Sequence, residues 1–218
     1  MAFPTTAFSD PTSAQSALMN KATENGLSAI VADGNDATVN AILANMFTEM
    51  PAGVALGPTL ATEAGAGFTS GTGTIYKSAV FKAGGVINTQ ILVDLTGLDD
   101  FAADDIIGKN GSSAAAHIGQ ITTARNGTIF SVRMTCLELP AGGDVDVDLY
   151  SATEGTGAPS AAISTLVETQ LINSGDWAEG DVKFAQTIAA DKYLYLVNGA
   201  STPGTYTAGK YLIELLGY

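Results

Sequence analysis

From Thr74 onward the sequence repeats one device: a short run of alternating apolar and polar residues, then a turn built on Gly, Asn or Asp. Period-two alternation puts every second side chain on the same face of an extended chain, so each run can bury one face and wet the other. The runs predict strands over 74–82, 86–95, 117–123, 128–139, 144–151, 183–189, 192–198 and 210–216. The turns between them include GG at 84–85, KNG at 109–111, RNG at 125–127 and PAGG at 140–143, with Gly, Pro and Asn clusters at 155–159 and 198–204. Residues 160–173 alternate imperfectly and fit either a strand or a short helix. So many short strands with hairpin-type turns predict a mainly β fold, an antiparallel β-sandwich of jelly-roll type. No repeat recurs at a fixed period, which argues against a propeller or solenoid.

Residues 1–70 obey a different rule, and the expected organisation is an N-terminal arm over 1–70 followed by a β-sandwich domain over 71–218. In DATVNAILANMFTEM, Asp36 is placed to cap a helix, and Val39, Ile42, Leu43, Met46, Phe47 and Met50 recur at spacings of three and four. Pro51 and Gly53 end it. Thr12 to Asn25 is a weaker helical stretch closed by Gly26. A single apolar stripe must be buried against something, and so short a segment has little core of its own. Residues 52–73 are rich in Gly, Ala and Thr and read as an extended linker.

Charge narrows the classes of partner. Nine basic residues stand against 22 acidic ones, a net charge of −13, and no basic stripe occurs. Such a field repels phosphate backbones and anionic headgroups, so neither nucleic acid nor membrane is an expected partner. Hydrophobic residues make up 46% of the chain, yet no run is long enough to span a bilayer. The N-terminus lacks the basic and apolar regions of a secretion signal, which predicts folding in a cytoplasm. Cys136 is the one cysteine and lies in an apolar strand pattern, where a buried thiol is expected.

Tests for chemistry return little. His117 is the one histidine, opening an apolar stretch with no nucleophile elbow nearby, and reads as structural. Zinc sites of His and Cys fail by count. GFTSGTG at 67–73 is glycine-rich, but no lysine follows in phosphate-binding register. Asp99, Asp100, Asp104 and Asp105 crowd one loop, read as solvated, with a divalent-cation site as the sharper alternative. In GGDVDVDLYS, Asp144, Asp146 and Asp148 alternate with Val145, Val147 and Leu149. An EF-hand needs Gly at loop position six and Glu at twelve, and here those positions hold Leu149 and Gly155. The aspartates are therefore read as the solvated face of a strand. No catalytic, cofactor-binding or metal-ligating residue is assigned, no cofactor is expected, and the chain is not expected to be an enzyme.

The segments GTGTIYKSAVFKAGGVINTQILVDLTGL (71–98), AAHIGQITTARNGTIFSVRMTCLELPAGGDVDVDLYSATEGTG (115–157) and YTAGKYLIELLGY (206–218) resemble virion structural proteins encoded beside the head genes of tailed, especially marine, bacteriophages. The resemblance implies a head decoration, or cement, protein that binds the major capsid protein on the capsid surface after synthesis in the host cytoplasm. It also implies a homo-oligomer, a trimer being favoured. For shell contact the candidate residues are Val39, Ile42, Leu43, Met46 and Phe47 on the helix, with Phe3 and Phe8 anchoring the arm. The alternative is a tail or fibre module binding a host-surface glycan through loop aromatics, for which Trp177 and Tyr206 are the candidates.

Overall fold

The computed structural model describes residues 60–218 apart from Gln186, Ser201 and Thr202. The chain divides into one unit over Met1–Pro51 and another over Ala52–Tyr218, and the described residues belong to the second. The expected helices of residues 12–50, and the candidates Phe3, Phe8, Val39, Ile42, Leu43, Met46 and Phe47, lie outside the described residues.

The second unit is mainly β, with antiparallel sheets and few helical turns. One sheet contains β1 (Ile75–Ala83), β2 (Val86–Asp94), β5 (Ile129–Ala141), β8 (Val182–Ala185) and β11 (Ala208–Gly217), in the order β1-β2-β11-β5-β8. Another contains β4 (Gln120–Ile121), β6 (Val147–Ala152), β7 (Glu168–Ile172) and β9 (Lys192–Asn198), in the order β4-β9-β6-β7. A small pair joins β3 (Asp99–Asp100) to β10 (Gly204–Thr205). Among the described residues there are also two single-turn helices, α1 (Ala66–Thr69) and α2 (Thr123–Asn126), and a 3-10 turn at Ile163–Thr165.

Alternation does the sorting. In β11, Tyr211, Ile213 and Leu215 are buried while Lys210, Leu212, Glu214 and Leu216 lie on the other face. In β5, Val132, Met134 and Cys136 face inward, and the expected buried thiol is found there. Both large sheets feed one apolar core, with Ile91, Val93, Met134, Tyr211 and Ile213 from the first and Val147, Leu149, Leu194 and Leu196 from the second. Each fully buried aliphatic chain of this kind stabilises the fold by about 1.5–3 kcal/mol.

Several boundaries differ from the expected ones, each for a local reason. The run 117–123 yields only β4, because Gly119 takes φ 132° and Thr122 then caps α2, its side chain accepting from Arg125 N. Asn126 fastens that turn by donating from Nδ2 to Thr89 Oγ1 (2.8 Å) and accepting from Thr122 N (2.9 Å). Residues 160–173 supply both alternatives, the 3-10 turn and then β7. The part of the expected linker described here, from Leu60, packs into the β unit, since Leu60 and Phe68 are buried in its core. Gly67 allows it: a Cβ there would lie 2.2 Å from Ala114 O, and its own N–H bonds Ala115 O at 2.8 Å.

Candidate interaction face

The sequence motifs that invited a chemical reading turn out to be fasteners. Val147 and Leu149 point into the core as expected, but the aspartates between and before them are not a solvated face. Asp148 is buried and accepts from Gln170 Nε2 (2.8 Å) and Ser174 N (2.6 Å). Burial pushes its carboxyl above the usual range, opposed by those hydrogen bonds. Asp146 accepts from Ser174 Oγ (2.8 Å), and Asp144 Oδ1 accepts from Asp146 N (3.1 Å). The strand starts only at Val147, because residues 144–146 form a turn held in this way.

The acidic loop is corrected in its first half, while Asp104 is exposed as expected and Asp105 is half-buried. Asp99 and Asp100 are buried rather than solvated. Asp99 accepts from Thr205 Oγ1 and from Asn110 N (3.2 Å), while Asp100 accepts the backbone N–H groups of Asp144 and Gly204. A buried carboxylate with several donors ties loops distant in sequence at little net cost. Among the described residues no group of three or more His, Cys, Asp or Glu is arranged to hold a metal ion.

The two aromatics proposed for sugar contact are not available to a ligand. Trp177 is 4% exposed and donates from Nε1 to Val147 O at 2.9 Å. Its ring meets Tyr211 edge-on at 5.3 Å, and Lys183 Nζ sits 4.6 Å from the ring centroid. Tyr206 is 1% exposed and donates to Asp144 O at 3.1 Å. Gly143 lets the chain pack against Tyr206, since a Cβ there would lie 2.7 Å from its ring.

His117 is buried against Tyr193, ring centroids 4.9 Å apart, and its Nδ1 has no hydrogen-bond partner among the described residues. Burial lowers its pKa below the ordinary 6.5. The unfolded chain therefore takes up a proton below about pH 6.5 that the folded imidazole refuses, so this contribution to stability is intact above that pH and falls as the solution is acidified. Melting temperature measured between about pH 5 and pH 7 should fall on acidification, and the slope should flatten in His117→Phe. Parallel slopes in the two proteins would contradict this.

What the second unit offers a partner is a surface. Cross-strand register lays out the outer face of the five-stranded sheet in rows. Ile75, Asp94, Lys210 and Glu138 form one, and Lys77, Leu92, Leu212, Thr135 and Val182 the next. Then come Ala79, Gln90, Glu214, Arg133 and Phe184, and finally Phe81, Asn88, Leu216 and Ser131. Phe184 is 67% exposed and Val182 42%, both on the edge strand β8. Arg133 Nε donates to Glu214 Oε2 at 2.7 Å, and Gln90 Nε2 to Glu214 Oε1 at 3.2 Å. Lys210 pairs with Glu138 and lies 3.6 Å from Asp94. Such exposed pairs add little to stability, but they hold long side chains in place across the face. Asn88, Ser131, Arg133, Phe184, Glu214 and Leu216 line an open depression of about 310 Å³. That volume is at the bottom of the range for small-molecule pockets, and the opening suits a broad surface contact better.

No known protein family matches the chain, and no curated protein is similar to it. Sequence reading missed this face because its residues come from strands far apart in the chain, and only the sheet order brings them together.

Proposed function

We propose that the chain is a non-enzymatic structural protein of a tailed-phage particle, a head decoration protein that binds and stabilises the capsid lattice. The observation that carries this reading is the outer face of the five-stranded sheet. It keeps Phe184, Val182 and Leu137 exposed beside half-buried Leu92, Leu212 and Leu216. Apolar side chains exposed among paired charges in this way suit association with another protein surface. The resemblance of residues 71–98, 115–157 and 206–218 to virion proteins directs that association to a phage shell.

The strand order supports a jelly-roll sandwich as the finer description of the fold. Consecutive strands β4, β5 and β6 alternate between the two large sheets, as do β7, β8 and β9. The orders β2-β11-β5-β8 and β4-β9-β6-β7 are those of an eight-stranded roll with β1 added at one edge. Such rolls serve many functions, so the fold alone does not choose among them. In this account Val39, Ile42, Leu43, Met46 and Phe47 grip the major capsid protein, with Phe3 and Phe8 anchoring the arm.

Binding to purified capsids tests the reading. The full chain should co-sediment with capsids and raise their melting temperature, and Leu43→Asp with Phe47→Asp should weaken that binding. Failure of the full chain to co-sediment would contradict the decoration role. Undiminished binding by the double variant would remove the helix from the contact.

A further inference from the structure

We propose that the outer face of the five-stranded sheet is where two copies of this chain pair about a twofold axis. Charge is the first argument. The chain carries a net charge of −13, so two copies repel at most approaches. The rows described above contain Lys77, Arg133 and Lys210 against Asp94, Glu138 and Glu214, which sum to zero. Copies meeting here bring together a face without net charge, which keeps like charge out of the contact itself.

The arrangement is also self-complementary. Leu92 and Leu212 lie directly opposite one another in register, between the row of Lys210 and Glu138 and the row of Arg133 and Glu214. A twofold axis through this leucine row brings leucine onto leucine and lets each charged row meet side chains of both signs, the condition an isologous contact imposes. Sheets packed face to face sit about 10 Å apart, close enough for these chains to interdigitate.

Area is the third argument. Five strands about 4.8 Å apart, over some seven residues at about 3.4 Å each, give a footprint on the order of 500 Å² per copy. Doubled, that is about 1,000 Å², the minimum for a specific interface. A contact along β8 alone falls well short. The whole face is therefore needed, with Phe184, the most exposed phenylalanine in the described residues, as an anchor at its rim.

The pairing deepens the assembly reading by naming the unit delivered to the shell as a dimer, and it is measured without any capsid. Sedimentation of the full chain over a concentration series should show a monomer–dimer equilibrium. Phe184→Glu should raise the dissociation constant roughly tenfold or more, as loss of an interface aromatic does. Arg133→Glu, which makes the face acidic, should do the same. Val167→Glu, at an exposed position next to β7 in the other sheet, should leave the equilibrium unchanged, with circular dichroism and melting confirming that all variants fold. A chain that stays monomeric at every concentration overturns the pairing. So does a dimer indifferent to Phe184→Glu and Arg133→Glu, or a trimer, the state the family resemblance implies. A monomer that still coats capsids overturns the pairing and leaves the decoration role standing. A face-dependent dimer that ignores capsids keeps the pairing and removes the decoration role.

Discussion

Val147→Asp should abolish cooperative folding. Val147 is fully buried at the start of β6, between the core and the loop carrying Trp177. Its carbonyl accepts from Trp177 Nε1, so the backbone there cannot shift outward without breaking that bond. A carboxylate placed among Leu149, Leu196 and Tyr211 has no partner, and an unpaired buried ion costs several kcal/mol. Asp146 and Asp148 on either side add like charge. With the valine's own lost burial, the total is comparable to the whole stability of a domain, about 5–15 kcal/mol. The expected readout is loss of the near-ultraviolet circular dichroism signal and of any sharp melting transition. Val147→Ala should keep both, at a lower melting temperature. A Val147→Asp protein that melts like the wild type would mean that β6 is not where the structure places it.

Trp177→Ala carries the second largest effect, about 3–5 kcal/mol of destabilisation. The indole fills the space against Tyr211, takes the Lys183 ammonium over its face and bonds the β6 backbone. Truncation therefore opens a cavity and leaves Val147 O one donor short. Trp177→Phe keeps much of the packing and loses the Nε1 bond, so it should cost less than half as much. Chemical denaturation of the three proteins checks the order. Because Trp177 is the one tryptophan, its native emission should also be blue-shifted and indifferent to added sugars. Emission that shifts on glycan binding would return the residue to a surface role.

Strand placement was legible because burial on one face enforces period-two alternation, and β1, β2, β5 and β11 follow it within a few residues. The roles of the polar residues were not legible in the same way. DVDVD has the same pattern whether its carboxylates meet water or buried donors. What decides is Ser174 and Gln170, more than twenty residues downstream. The same holds for Asp100, whose partners Asp144 and Gly204 lie far along the chain. Trp177 looked exposed because NSGDWAEG is a loop sequence, and loops do lie at the surface, but this one folds its aromatic inward under Lys183. The outer face was invisible for a further reason. Leu92, Leu212, Glu214, Arg133 and Phe184 come from four strands, and only the order β2-β11-β5-β8 brings them together.

The stoichiometry of the chain in purified particles of its proposed phage tests the central claim most directly. Quantitative mass spectrometry of intact virions, referenced to the major capsid protein, should place it in a fixed ratio to the lattice, as a decoration protein requires. Only a handful of copies per particle, or none, would contradict the account.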